Sequence, residues 1–486
     1  MFKHLLRVTH PLGGLLLAFG FALLPPILVA ALDREDAWRA FAATLAIALA
    51  LGLALRRLGQ RARRELRTRD GYLLVVAAWL VIAAVAALPL WLALPGLSYT
   101  RAYFEAMSGL TTTGATALSG LDALPRAVNL WRSELAWLGG LGIIGLAMAV
   151  LPLLGIGGMQ VYRAEATGPI KESKLTPRAK QTARSLWLIY GTLTAACAVA
   201  LRAAGTSWFD AICHAFSALS LTAFSTHDRN IAWFQAPLVE AVLVVFMLLS
   251  AINFATHYLA WRDRSLRAYL RDPEARAMLL LVLGSCLLVA LYLRLAGTYG
   301  SYWTALRYVG FNLVSLATDC GFSSTDYGQW PLAAALWMLL LSCLTASAGS
   351  TGGGIKMIRT EVLFKHSARE LYGLVHPTAV YSLKLGGQAV AERTVLSVFS
   401  FIHLYTITVV GLSLLLVASG MDFLSAFSAV VAAVNNLGPG LGTVGPASNY
   451  AALSEFQIWV CTVAMLAGRL ELFILLVPLT PAFWRD

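Results

Sequence analysis

Charge is what this chain has least of: Asp, Glu, Lys and Arg make up 13% of its 486 residues. Soluble domains average about 25%. So few charges cannot clothe a water-facing surface of this size, which argues against a large soluble helical protein. Paired cysteines are missing too. The 6 cysteines are scattered with no Cys-x-x-Cys pair, so neither a disulfide framework nor a zinc site has support. No His-Glu-x-x-His run appears, and no nucleophile–base set sits on adjoining segments; an intramembrane enzyme would need one or the other. The first apolar run starts near Pro11, behind Lys3 and Arg7, and no small-residue cleavage site follows its core. Pro25-Pro26 and Val29 to Leu32 follow instead, so the run reads as a retained first helix and not a signal peptide.

What is present is hydrophobic. Apolar residues make up 58% of the chain, and they come in runs. Leu73 to Leu94 and Leu396 to Ser419 each reach the roughly 20 residues that a bilayer helix needs. Soluble core helices are seldom apolar on every face for so long. The net charge of +12 is concentrated between such runs. Arg56, Arg57, Arg61, Arg63, Arg64, Arg67 and Arg69 crowd one loop; Lys171, Lys174, Arg178, Lys180 and Arg184 a second; Arg262, Arg264, Arg267, Arg271 and Arg276 a third. Their position between membrane runs marks them as cytoplasmic loops rather than a nucleic-acid surface. Counting runs puts all three on the side of the N-terminus, and Asp33, Glu35 and Asp36 on the other. Both termini are therefore expected in the cytoplasm.

A repeat lies in the opposite loops. Short apolar segments, too short to span, end in small, polar, mostly glycine-bearing turns: AMSGLTTTG (Ala106 to Gly114), AFSALSLTA (Ala215 to Ala223), LVSLATDCG (Leu313 to Gly321) and VVAAVNNLG (Val430 to Gly438). Aligned on their last residues, they place Ser108, Ser217, Ser315 and Ala432 in register, and likewise Thr111, Ser220, Thr318 and Asn435. Each copy is flanked by spanning runs. Weak internal symmetry of this kind is common in transport proteins, although apolar segments also resemble one another by chance.

Such a unit suits a cation. A short helix that stops inside the membrane leaves unpaired carbonyls and about half a negative charge at its C-terminal end. Four such ends on one axis, followed by irregular backbone turned inward, replace an ion's water shell with carbonyl oxygens. Irregular backbone at that depth is tolerated where it lines a wet cavity or is buried in protein.

The chain resembles the TrkH/TrkG/KtrB superfamily of potassium transporters, the TrkH branch in particular. The resemblance covers almost the whole chain. It rests on TTTGAT at Thr111, WLGGLGIIGLA at Trp137, FDAICHAFSALS at Phe209, FSTHD at Phe224, GSTGGGIKMIR at Gly349, NNLGPGLGTVGP at Asn435 and GRLELF at Gly468. It implies an all-α integral membrane protein with two leading transmembrane helices and four pseudo-symmetric helix–pore helix–filter loop–helix repeats around a central pore. We divide the chain accordingly into the leading helices with their basic loop (1–70) and repeats at 71–160, 161–262, 263–365 and 366–486. The resemblance implies potassium uptake across the bacterial inner membrane, K⁺ as the transported ion and no organic cofactor. It also implies a homodimer and a cytoplasmic nucleotide-binding regulatory subunit of the TrkA type.

Carried onto this sequence, the K⁺ filter falls on Thr111, Thr112, Thr113 and Gly114; Ser220, Leu221, Thr222 and Ala223; Thr318, Asp319, Cys320 and Gly321; and Asn435, Asn436, Leu437 and Gly438. Backbone carbonyls are expected to do most of the coordination. Two departures bear on selectivity. Ala223 replaces a filter glycine, and Asp319 brings a carboxylate. Two placements are open for Asp319: beside the ion, or turned back to accept backbone N–H bonds, which is the expectation adopted here.

The run after the third turn is broken by Ala346 to Gly354. A phosphate-binding loop is excluded there, because Ile355 separates the last glycine from Lys356 and Met357 stands where Ser or Thr is needed. Close helix packing on small residues is one alternative. The resemblance instead makes Gly349, Ser350, Thr351, Gly352, Gly353 and Gly354 an intramembrane gating loop below the filter, with Lys356 and Arg469 beside it. Arg469 lies inside the last apolar run, and a charge at that depth is a functional candidate by default. It is expected to face the pore and repel cations in the closed state; for Lys356, snorkelling to solvent is the alternative. His214 and the isolated His257 and His403 read as packed core histidines. Trp79, Trp91, Trp131, Trp233, Trp330 and Trp459 read as interface anchors. A weakly selective K⁺/Na⁺ channel and a non-conducting subunit that kept the fold remain as rival functions.

Overall fold

The computed structural model describes residues 2–60, 67–149, 177–378, 382–385 and 388–485. Arg61, Arg63, Arg64, Lys171 and Lys174 of the basic loops lie outside the described residues.

The chain begins with α1 (Phe2–Gly20) and α2 (Leu24–Leu32), joined by a single 3-10 turn. Pro25 and Pro26 sit in the first turn of α2, where a missing N–H costs least. α3 (Ala37–Gly59) returns against α1. The approach is close because glycines face each other: a Cβ on Gly13 would lie 2.5 Å from the Gly52 carbonyl oxygen.

Four units of one plan follow. The first is α4 (Thr68–Ala93), the short α5 (Tyr99–Leu110) and α6 (Arg126–Ala149). The second is α7 (Pro177–Ala203), the short α8 (Trp208–Ser220), and α9 (Pro237–Ala251) with α10 (Phe254–Arg262). After a one-turn α11 (Arg267–Arg271), the third is α12 (Pro273–Leu295), the short α13 (Tyr302–Ala317), and α14 (Leu332–Leu344) with α15 (Met357–Val375). A two-residue hairpin, β1 (Lys384–Leu385) against β2 (Gln388–Ala389), precedes the fourth. That unit is α16 (Glu392–Ala418), the short α17 (Phe423–Asn435), and α18 (Glu455–Arg469) with α19 (Phe473–Leu476); α20 (Pro481–Trp484) ends it.

The short helices cannot cross a bilayer. A helix of 13 residues, as in α8 and α17, is about 20 Å long against a hydrocarbon layer of about 30 Å. Their starts are fixed by N-caps: Ser98, Ser207 and Asp422 accept the backbone N–H of Arg101, Asp210 and Ser425. Six helices are long and apolar enough to span, and two bent pairs raise that to eight among the described residues.

Among the described residues, three closing helices are broken. The sequence announced one break, between α14 and α15. Two more appear: α9 to α10 turns by 94° and α18 to α19 by 110°. The breaks meet. Ser347 N–H donates to the Ala251 carbonyl at 3.2 Å, Phe254 N–H to the Gly349 carbonyl at 3.2 Å, and Arg469 Nη1 to the Thr351 carbonyl at 2.9 Å.

Some expectations about single residues need correction. Trp131 is fully buried, with its indole donating to the Ala86 carbonyl at 3.0 Å. Trp330 is buried as well, bonded to the Tyr299 hydroxyl. Both are core residues, because each indole N–H finds a partner inside. Trp91, Trp233 and Trp459 are exposed, as anchors would be. His257 is a satisfied core histidine, held by Tyr269 and the Leu249 carbonyl. His403 is exposed on the outer face of α16 and is not a core residue.

Candidate functional site

The C-terminal ends of α5, α8, α13 and α17 share one backbone design. The second residue of each turn, Thr112, Leu221, Asp319 and Asn436, is left-handed, with φ of 57°, 56°, 64° and 57°. The next N–H then folds back to the short helix. Thr113 bonds to the Ser108 carbonyl (2.8 Å), Thr222 to Ser217 (2.9 Å), Cys320 to Ser315 (2.9 Å) and Leu437 to Ala432 (2.8 Å). The acceptors are the four positions that stand in register in the sequence.

The turns converge. A Cβ built on Gly114, Gly321 or Gly438 would lie 2.7, 2.9 or 2.7 Å from the Ala223 Cβ. The three glycines are left-handed, at φ of 79°, 79° and 99°, so glycine is required there on two counts. Ala223 is not left-handed, and its methyl projects to where all three glycine turns approach. Side chains brace the turns from behind. Thr111 Oγ1 donates to the Met107 carbonyl, Ser220 Oγ to Phe216 and Thr318 Oγ1 to Val314, at 2.7 to 2.8 Å. Asn435 accepts from the Tyr405 hydroxyl at 2.8 Å and donates to Ser342 Oγ at 2.9 Å. With the side chains so occupied, the buried carbonyls of Thr112, Thr113, Leu221, Cys320 and Leu437 accept no hydrogen bond among the described residues. Buried carbonyls without partners are rare unless something else fills the role.

A buried ion pair ties the first two turns together. Arg132 Nε donates to Glu105 Oε1 at 2.7 Å, Nη1 to the Ser225 carbonyl at 3.1 Å and Nη2 to Thr116 Oγ1 at 3.2 Å. Its guanidinium lies 4.4 Å from the Phe224 ring, and Glu105 Oε2 accepts the Ala117 N–H at 3.0 Å. Sequence reasoning missed both residues. The available signal was opposite charges in consecutive apolar segments.

Above the turns opens a vestibule of about 140 Å³, lined by Gly114, Ala223, Gly321 and Gly438 and rimmed by His227 and Asp228. His227 bridges the first two units. Its Nδ1 contacts Asp122 Oδ1, its Nε2 lies 3.3 Å from Asp210 Oδ1, and its ring stacks on Trp233 at 4.5 Å. Partial burial opposes charge on His227, but Asp210 and Asp122 outweigh it and raise its pKa above the usual value. Burial likewise works against the carboxylate of Asp122, yet the bond to His227 leaves its pKa lowered. His214 is a packed support, bonded to the Asp210 carbonyl (2.8 Å) and Ser225 Oγ (2.9 Å).

Below the turns lies the segment 345–356. A Cβ on Gly353 would overlap the Asn435 carbonyl oxygen, and one on Gly352 would sit 3.2 Å from that of Thr318. Thr351 Oγ1 donates to the Leu219 carbonyl at 3.0 Å. Gly349 and Gly354 are left-handed, and Ser350 caps back to Ser347. Lys356 does not snorkel: its ammonium donates to the Gly352 carbonyl at 2.6 Å. Arg469 ends α18 with its guanidinium on the Thr351 and Gly139 carbonyls, at 2.9 and 3.2 Å. Glu471 pairs with Arg359, not with Arg469. Glu274, which the sequence did not single out, holds both ends of the segment: its Oε1 accepts the N–H of Ala348 (3.1 Å) and of Ile358 (2.9 Å). The Asp319 carboxylate is buried and faces this segment, where the Gly353 backbone is its near donor; no side chain among the described residues bonds to either oxygen.

The structure thus brings together all sixteen turn residues and sets the six residues 349–354, Lys356 and Arg469 directly beneath them. The TrkH family model, described as a cation transport protein, matches residues 38–483. The chain is 45% identical to "Trk system potassium uptake protein TrkH" of Salmonella typhimurium over 484 residues, 99% of this chain and 100% of that one. It is 40% identical to "Trk system potassium uptake protein TrkG" of Escherichia coli, over 100% and 99% of the two chains. The crystal structure of the potassium transporter TrkH from Vibrio parahaemolyticus superimposes with a TM-score of 0.91 at 43% identity, covering 100% of both chains. This chain therefore belongs to the TrkH family of cation transport proteins, a family of membrane transporters and not of enzymes.

Proposed function

We propose that this chain carries K⁺ into the cell across the bacterial inner membrane, through the point where its four turns meet. The observation that supports this most is the set of buried, unpaired carbonyls of Thr112, Thr113, Leu221, Cys320 and Leu437 beside one convergence point. Oxygens of this kind stand in for an ion's water shell. Relatives of like length are named potassium uptake proteins.

In this reading Thr111–Gly114, Ser220–Ala223, Thr318–Gly321 and Asn435–Gly438 form the filter. Residues 349–354 close it from below, with Arg469 and Lys356 adding positive charge to the closed path. The reading includes a homodimer, both termini in the cytoplasm, and control by a cytoplasmic nucleotide-binding subunit of the TrkA type. One observation favours a weakly selective K⁺/Na⁺ pathway instead: the Ala223 methyl at the convergence of the glycine turns.

Growth tests the proposal. Expression in a strain lacking potassium uptake is expected to restore growth at low external K⁺; continued failure to grow, with the protein present in the membrane, would count against it. Ala223→Gly in the same strain separates the two readings. Better tolerance of external Na⁺ in that variant would favour a methyl-loosened filter.

A further inference from the structure

Four residues occupy the left-handed position of the four turns, and three are uncharged: Thr112, Leu221 and Asn436. Asn436 shows what a planar polar side chain does there when its role is structural. Its amide donates to Thr113 Oγ1 at 3.1 Å and to the Met465 carbonyl at 3.0 Å, pinning the fourth turn to the first and to α18. Asp319 has the same shape and the same backbone, yet it is tied to no neighbouring turn: no side chain among the described residues bonds to its carboxylate, the Gly353 backbone of the segment below is its one near donor, and no part of it reaches solvent. Leaving a buried carboxylate charged and unpaired is costly unless a cation or a proton comes to it.

Its surroundings supply positive charge without contact. Lys356 and Arg469 act on it electrostatically, but their hydrogen bonds go to backbone carbonyls, Gly352 for Lys356 and Thr351 and Gly139 for Arg469. That segment is pressed against the carboxylate: a Cβ on Gly352 would lie 3.3 Å from Asp319 Oδ2. The Gly353 backbone faces it as well.

We propose that Asp319 is a second cation site, at the inner end of the filter turns, covered in this arrangement by residues 352–356. When that segment withdraws, it takes the Lys356 ammonium with it and leaves the carboxylate to a monovalent cation leaving the filter. With the segment in place, the Lys356 charge offsets the carboxylate from a distance, with no direct contact. The site rests on the reading of the turns as a K⁺ pathway, and it adds a side-chain ligand to a path otherwise made of backbone.

The test is rubidium uptake into liposomes holding the purified full chain, measured against rubidium concentration. Wild type is compared with Asp319→Asn, which keeps shape and loses charge, and with Asp319→Thr, which matches the residue at position 112. Both variants are expected to raise the half-saturating rubidium concentration several-fold and to shrink the K⁺-induced rise in melting temperature. Unchanged half-saturation in either folded variant, alongside active wild type, overturns the site and leaves the pathway standing. Absence of uptake by wild type would instead strike the pathway reading itself.

Discussion

Arg132 and Glu105 form an ion pair that is 1% and 0% exposed and stands directly behind the first two turns. A guanidinium in that place does three jobs: it neutralises the carboxylate, holds the Ser225 carbonyl and reaches Thr116. Removing one partner of a buried pair costs about 3–5 kcal/mol, because the other is left charged and unpaired. Arg132→Ala is therefore expected to lower the melting temperature and to abolish uptake. Arg132→Lys, which keeps the charge but loses the planar fork, should recover part of the stability and less of the uptake. Wild-type melting in Arg132→Ala would show that the pair carries little.

Glu274 holds the lower segment at both ends through a single oxygen. Glu274→Ala leaves two buried amides unpaired, at a cost of about 1–3 kcal/mol each. That cost falls on the closed arrangement, so resting rubidium uptake should rise. Glu274→Gln retains an acceptor and should behave nearly as wild type. Equal resting uptake in all three proteins would remove Glu274 from the account.

Gly353 is placed where a side chain would overlap the Asn435 carbonyl oxygen. Gly353→Ala must push the segment off the turns, and resting uptake should increase. Arg469→Ala, which removes the bonds to Thr351 and Gly139, should act in the same direction. Gly284→Ala is the control, since nothing lies within 4 Å of its added methyl. Unchanged uptake in Gly353→Ala and Arg469→Ala would mean that the segment does not close the path.

The mouth of the vestibule should respond to pH through His227. Its pKa is raised above 6.5 in the folded protein, so its bridge is fully present below that ordinary value and is lost as pH rises through the raised one. Asp122 and Asp210 are lowered from 3.8; their share is present above 3.8 and is lost only as pH falls through the lowered values. The protection of residues 120–123 and 226–230, taken as exchange relative to the intrinsic amide rate at each pH, should therefore fall on the alkaline side, and His227→Gln should flatten that profile. His214, Asp228, Trp233 and Phe234 also face this ring or its loop. A slope that survives His227→Gln would assign the effect to one of the other titratable groups there.

Much of this architecture is legible in the sequence because its causes are local. Apolar length marks the spans, and a polar turn after a short apolar helix marks each repeat. The register of Ser108, Ser217, Ser315 and Ala432 reappears as one hydrogen bond repeated four times. What stayed hidden depends on contacts between distant segments. Nothing at Ile252-Asn253 or Leu470 to Leu472 resembles the glycine run at 349–354, yet both sites bend sharply, because the chain there meets that run. Glu274 follows Asp272-Pro273 and looks like an ordinary acidic residue in a first helical turn; its role appears only once Ala348 and Ile358 are beside it. Trp131 and Trp330 sit near run ends, where anchors and core residues look alike. Asp319 stands out in the sequence as a carboxylate in a polar turn, but that its neighbour is the Gly353 backbone, 34 residues on, appears only in the fold.

The most direct measurement is rubidium uptake into sealed liposomes containing only this purified chain, with Na⁺ added as competitor. The account expects uptake above empty liposomes, a larger uptake in Gly353→Ala, and little inhibition by Na⁺ at concentrations where K⁺ competes fully. No uptake by wild type or by Gly353→Ala, with the protein shown to be folded in the bilayer, would contradict it.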